Sequence, residues 1–238
     1  MKPPKTLAGV LADSAALLVD FDGPVCSVFA SLQPTDVAAQ LRGLLPNREN
    51  LPQHIQHEAD PLTVLRFVGE LGDQALTNKV DEELRKAELV AIAGATATPH
   101  GHELLRAACR SGRKVAIVSN NSEPAIKAYL RSHDLGQYVS QVIGRQPGHP
   151  EAMKPNPKPV TRAASVLGLA PTECVLVGDS PSDIGAAKGA GVRSIGYANK
   201  PYKNTTLANA GADIVVEGVN GLEALLRLFG SASTTTGQ

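Results

Sequence analysis

The sequence predicts an α/β protein, a doubly wound parallel sheet whose first crossover is expanded into a small helical cap domain. Three observations carry this. Short runs rich in Val, Ile and Leu alternate with segments of helical periodicity, the pattern of strands buried on both faces and joined by crossover helices. A Gly stands near the end of each helical segment that joins two strands in the second half of the chain, where a left-handed stop is needed. Residues 26–95 hold three helical patterns and no strand candidate.

The elements follow in order. "ALLVDF" (16–21) is the first strand, an apolar run that ends on charge. "TDVAAQLRGLL", "DPLTVLRFVGELG" and "DEELRKAELVAIAG" are amphipathic and make up the cap. "GHELLRAACRSG" (101–112) returns the chain to a second strand, "KVAIVSN" (114–120). "EPAIKAYLRSHDLG" (123–136) leads to "YVSQVIGR" (138–145), and "PKPVTRAASVLGL" (157–169) to "ECVLVGDS" (173–180). "SDIGAAKGAGV" (182–192) precedes "VRSIGYA" (192–198), and "ADIVVEG" (212–218) is the last strand. The expected division is a core of residues 1–25 and 96–230, a cap of 26–95 and a polar, disordered tail, "SASTTTGQ", of 231–238.

Composition narrows the function classes. Lys plus Arg number 23 and Asp plus Glu number 23, so there is no basic field for nucleic acid, and a charged partner has to be a small molecule met by a local site. Cys26, Cys109 and Cys174 are odd in number and widely spaced, which fits reduced thiols in a cytoplasmic chain better than a disulfide framework or a zinc site. The first 21 residues lack a secretory h-region, and no stretch has the length of a membrane span, so a soluble, unprocessed chain is expected.

Ligands of open parallel sheets bind outside the carboxyl ends of the strands, and four polar groups fall there. Asp20 and Asp22 close the first strand, and Ser119 and Asn120 close the second. Lys154 lies in "MKPNPKP" ahead of a helix; Asp179 and Asp183 follow "VLVG". Gly23 and Ser180 support the two aspartate loops. Singly, each has a plainer reading: an Asp-Gly turn, a Ser or Asn helix cap, a solvated Lys, and Asp183 as the cap of the helix that begins near Ile184. Together, their order, placement and residue types agree on one site.

Clustered carboxylates are tolerable when a hard cation offsets them, and oxygen ligands without His or Cys suit Mg2+. A carboxylate in line with phosphorus acts as nucleophile and splits phosphoester hydrolysis into two easier steps, and Asp20 is placed for it. Asp22, past the strand end, is placed to give the leaving oxygen a proton and later to take one from water. The Ser119 hydroxyl, nearby N–H groups and the Lys154 ammonium neutralise the nonbridging oxygens.

With "DFDG", "VSN", "KPNP" and "GDSPSD" in this order, the chain resembles the haloacid dehalogenase (HAD) superfamily over nearly its whole length. The resemblance is to the branch of phosphoglycolate phosphatases and β-phosphoglucomutases, in which a helical cap follows the first motif of a Rossmann-like core. It implies Asp20 as nucleophile and metal ligand, Asp22 as acid/base and as a ligand through its backbone carbonyl, and Asp179 as the third protein ligand. It further implies Ser119, Asn120 and Lys154 as phosphoryl binders, with Asp183 either supporting the metal shell or orienting Lys154. Hydrolytic dehalogenases of the superfamily lack the second aspartate, so Asp22 argues for phosphoryl chemistry. Pro24 departs from the Thr usual after the first motif, removing an N–H and a hydroxyl.

The expected function is a magnesium-dependent phosphatase acting on a small phosphomonoester, such as a sugar phosphate or phosphoglycolate, through an aspartyl phosphate. A phosphomutase keeps the same first half-reaction, and a noncatalytic phosphate binder is a third reading, disfavoured because it has no use for Asp22. On the cap, Arg42, Arg48, His54, His57, Arg66 and Asn78 are the candidates for substrate contact, although a solvated surface position is the plainer reading of Arg48, His54 and His57. Residues 22–26 and 93–101 are the two hinge candidates for cap closure.

Overall fold

A computed structural model describes residues 6–46 and 50–231. The six expected strands are present: β1 (Ala16–Val19), β4 (Lys114–Ser122), β5 (Gln141–Arg145), β6 (Cys174–Gly178), β7 (Arg193–Ala198) and β8 (Ile214–Glu217). They form one parallel sheet in the order β5-β4-β1-β6-β7-β8. β1 is central, with Ala16 beside both Lys114 and Cys174 and Val19 beside both Ile117 and Val177. The chain leaves β1 toward β4 on one side and returns to β6 on the other, so the connections diverge at the end of β1 and open a crevice there.

Strand periodicity divides the core into two layers. Leu17, Val19, Val115, Ile117, Val175 and Val177 point to one face, under α6 (Gly101–Arg110), α7 (Glu123–Ser132) and α11 (Gly218–Ser231). Ala16, Leu18, Ala116, Val118 and Leu176 point to the other, under α8 (Lys158–Leu167) and α9 (Pro181–Ala190). Because successive side chains alternate, both faces must be apolar for the strand to be buried, which is why "ALLV" reads as a continuous run. A short α1 (Leu7–Leu11) precedes β1, and α10 (Lys203–Ala210) links β7 to β8.

Between β1 and α6 the described residues form four helices, α2 (Pro34–Arg42), α3 (Gln53–Gln56), α4 (Pro61–Glu70) and α5 (Gln74–Ile92). They have an apolar cluster of their own, built on Val37, Leu41, Val64, Leu65, Val68, Val80 and Leu84. The starts of α4 and α5 are chemically marked: Asp60 accepts the Leu62 N–H ahead of Pro61, and Asp73 accepts the Leu76 N–H.

Two expectations are corrected, and one helix goes beyond them. The span 26–95 does contain a strand: β2 (Cys26–Ser27) pairs antiparallel with β3 (Thr96–Ala97), and two residues are too few to show periodicity. Helix α10 lies within "NKPYKNTTLANAG" (199–211), whose apolar residues are too sparse to suggest it. Ser231, placed in the tail, is the last residue of α11; residues 232–238 lie outside the described part, as does Arg48. No helix among the described residues is long and apolar enough to cross a membrane.

Candidate active site

Asp20 is the residue at which β1 stops. Its N–H still bonds the Val177 carbonyl at 2.9 Å, as a strand residue would, while its side chain enters the crevice. Oδ1 accepts the Phe21 N–H at 2.7 Å and the Lys154 ammonium at 2.9 Å, so both bonds fall on one oxygen. The chain then turns sharply. The Phe21 carbonyl accepts the N–H groups of Val25 and Cys26, and Gly23 takes φ +106°. Gly23 also faces the Asp179 carboxylate so closely that a Cβ would overlap it, so conformation and space both require glycine.

Pro24 is accommodated without the N–H it lacks, because the turn's bonds are made by its neighbours; Thr98 donates its hydroxyl to the Gly23 carbonyl at 2.6 Å. Asp22 turns its Oδ1 toward the Val28 N–H at 2.9 Å.

Lys154 is almost fully buried, and its three donors are all engaged: Asp183 Oδ1 at 2.5 Å, the Val118 carbonyl at 2.7 Å and Asp20 Oδ1. Burial works against its charge, but Asp183 and Asp20 outweigh it and hold the ammonium above its ordinary range. The side-chain amide of Asn120 grips the Lys154 backbone from both sides, accepting its N–H at 2.8 Å and donating to its carbonyl at 3.1 Å. Asn120 therefore holds Lys154 through its side chain and offers the crevice little beyond its main chain.

Asp183 has both oxygens occupied. Oδ1 takes Lys154, and Oδ2 takes the Ser180 N–H at 3.0 Å and the Ser180 hydroxyl at 2.7 Å, a capping box at the start of α9. Gly178 makes room for it, since a Cβ there would overlap the Asp183 side chain.

Asp179 is held from a direction the sequence reading missed. Its Oδ2 accepts from Asn199 Nδ2 at 2.9 Å and from the Lys203 ammonium at 2.5 Å, contacts that become visible only once the segment after β7 is folded, with α10 against β7 and α9. Asp20, Asp179 and Asp183 each present an oxygen within 4.8 Å of the others, so the site holds an acidic group able to bind a metal. The Asp22 carboxylate is outside this group.

Burial without full compensation raises the acids. Desolvation, then the charge of Asp183, lifts Asp20 to about 7 against the opposing pull of Lys154. Desolvation lifts Asp22 to about 6, with the Val28 N–H opposing it. Asp179 is raised by burial in spite of Lys203. A cation that neutralised the group would reverse these costs.

Asp20, Asp22, Ser119, Asn120, Lys154 and Asp179 line a cavity of about 510 Å³, to which α4 and the turn before it contribute Asp60, Leu62 and Arg66. Arg66 donates Nη2 to the Lys154 carbonyl at 3.0 Å. Of the other cap candidates, Arg42 bonds the Glu58 carbonyl, His54 lies edge-on to Phe67, Asn78 accepts from Gln74 and His57 ends α3; none lines this cavity.

The fold and this arrangement can be set beside known proteins. A family model described as haloacid dehalogenase-like hydrolase matches residues 15–191, most of the chain and all four motifs. A phosphoglycolate phosphatase from Salmonella typhimurium is 34% identical over 139 residues, 58% of this chain and 54% of that one; the chain thus spans about half the length of the curated relatives it matches. Among solved structures, a hydrolase from Pseudomonas syringae superposes with a TM-score of 0.69 at 21% identity, covering 90% of this chain and 98% of the other, a likeness of fold. A HAD family hydrolase from Deinococcus radiodurans R1, with bound phosphate and sodium, has a TM-score of 0.60 at 25% identity, covering 92% and 97%. With the family match running from the first strand through the fourth motif, the chain belongs to the haloacid dehalogenase-like hydrolases.

Proposed function

We propose that this chain is a magnesium-dependent phosphatase that hydrolyses a small phosphomonoester through an aspartyl phosphate on Asp20. The observation that carries the reading is the asymmetry of Asp20: both of its hydrogen bonds lie on Oδ1, which leaves Oδ2 as the oxygen open to phosphorus. Lys154, charged and immobile beside it, marks where the nonbridging oxygens rest.

Asp20 Oδ2 attacks phosphorus, and the bond from phosphorus to the ester oxygen breaks. Asp22, raised to about 6 by burial, holds a proton in an appreciable fraction of molecules near neutrality and delivers it to the departing oxygen. In the second step the Asp22 carboxylate takes a proton from water as that water attacks phosphorus, and Asp20 is released with inorganic phosphate. Ser119 and the Asn120 main chain bind the phosphoryl oxygens; the side chains of Asn120 and Asp183 hold Lys154 in register. Asp20 and Asp179, with the Asp22 carbonyl, form an all-oxygen set that fits Mg2+, whereas Asp183 already has its oxygens occupied. When bound, the ion supplies positive charge where negative charge gathers on the phosphoryl group.

Helices α2–α5 are read as the cap domain over the sheet, and the small cavity suits a small phosphorylated metabolite, of which phosphoglycolate and sugar phosphates are representatives. The three cysteines are free thiols, in keeping with a cytoplasmic protein. The test is phosphate release from a panel of small phosphomonoesters, with magnesium and with chelator, for the native chain and Asp20→Asn. Release that needs magnesium and disappears in the variant is the expected result. Release that survives in Asp20→Asn would overturn the nucleophile assignment.

A further inference from the structure

Glu88, near the end of α5, is fully buried, and a buried carboxylate needs donors on both oxygens. It has four. Oε1 accepts from Arg145 Nη1 at 2.8 Å and Asn121 Nδ2 at 3.3 Å; Oε2 accepts the Ser122 N–H at 2.9 Å and Arg145 Nη2 at 3.3 Å. Arg145, itself buried at the end of β5, also donates Nε to Asp81 at 2.6 Å and Nη1 to the Asn120 carbonyl at 2.8 Å. The second Asp81 oxygen takes the Gly148 N–H at 2.8 Å. Asp81 and Glu88 lie two turns apart on one face of α5, so one guanidinium pins that face to the sheet.

Pinning α5 accounts for Arg145 but not for Asn121. A carboxylate can only accept, so Asn121 must turn its NH2 to Glu88, and its Oδ1 then faces Ser119. The Ser119 hydroxyl donates to that oxygen at 3.1 Å, and the Asn121 N–H donates back to Ser119 Oγ at 3.3 Å. A continuous set of contacts thus runs from the helix to the hydroxyl that lines the cavity.

Resting on the reading of Ser119 as a phosphoryl binder, we propose that Glu88 is a positioning residue for phosphate: acting through Asn121, it fixes the orientation in which Ser119 meets the phosphoryl oxygens. On binding, the hydroxyl proton turns from Asn121 Oδ1 to a phosphate oxygen, while the Asn121 N–H keeps its bond to Ser119 Oγ and holds that oxygen in place. Glutamine keeps the size of the side chain but turns one oxygen into an NH2 that faces two of the four donors: at the Oε2 position it meets the Ser122 N–H, which cannot turn away, and at the Oε1 position it meets Asn121, whose amide loses the acceptor that orients it.

The test is calorimetric titration of inorganic phosphate, in the presence of magnesium, into the native chain, Glu88→Gln, Ser119→Ala and the double variant. Glu88→Gln should weaken phosphate binding about tenfold, and the double variant should be no weaker than Ser119→Ala. Additive losses would overturn the proposal, because Glu88 would then act on the site without Ser119. Unchanged affinity in Glu88→Gln, with a loss in Ser119→Ala, overturns the role of Glu88 and leaves Ser119 as a phosphoryl binder. Unchanged affinity in Ser119→Ala overturns both. Where Glu88→Gln does not fold, Asn121→Ala makes the same cut without disturbing the ion pairs of Arg145, and unchanged affinity there also overturns the proposal.

Discussion

Asp22 concentrates the argument at the scale of single residues. Its carboxylate is bonded to one N–H, raised by burial to about 6 and kept out of the acidic group able to bind a metal, an environment in keeping with the acid/base role proposed for it. Asp22→Asn is expected to lower turnover of the phosphomonoester by about 100-fold or more, the usual worth of a positioned proton donor. Inorganic phosphate and magnesium should still bind in calorimetry. Turnover that persists would move the proton transfer to another group. Asp20, Asp22, Ser119, Lys154, Asp179 and Asp183 were all legible as candidates, since each stands in a motif at a strand end. Asn199 and Lys203 were not legible, because their partner Asp179 is 20 and 24 residues away and only folding brings them to its Oδ2.

Among the elements, β1 is the one on which the site depends. It is paired on both edges and buried on both faces, so its carboxyl end is held in place from four directions when Asp20 emerges. Leu18 packs against α8 and α9, and Leu18→Ala should cost about 2–5 kcal/mol by transfer and cavity formation. Urea unfolding should show it as a lowered midpoint with an unchanged slope; a loss below about 1 kcal/mol would mean that the layer collapses around the gap. The strands were readable because a doubly covered strand leaves an uninterrupted apolar run. The β2–β3 pair and α10 were not, the first because two residues carry no period and the second because its apolar face is narrow.

For the whole molecule, the unbalanced acids link stability to pH. Asp20 at about 7 and Asp22 at about 6 bind protons more tightly folded than unfolded, where each is an ordinary aspartate near 3.8. Their contribution is therefore fully present below the unfolded value and is lost as pH rises through 6 and 7. In the absence of metal, the chain should lose more than about 1 kcal/mol of stability between about pH 5 and pH 8. Thermal unfolding in chelator should show the decline, and Asp20→Asn should flatten it. A stability that rises across that window would mean that the acids are better paired than their burial implies. Magnesium should restore stability at the alkaline end, where the carboxylates are ionised and the ion has most to offset.

Taken alone, the sequence determined the α/β class, the six parallel strands, the four motif loops and the family, because each is written locally as an apolar run, a turn or a short run of polar residues at a strand end. What only the tertiary structure decided is which groups share a charge: that Asp183 serves Lys154, that Lys203 reaches Asp179, that Arg66 alone among the described cap candidates lines the cavity, and that Glu88 meets Asn121. Those side-chain pairings join residues 24 to 33 positions apart, and a side chain's partner depends on which elements the sheet order and helix packing bring together, a long-range outcome that no local pattern records.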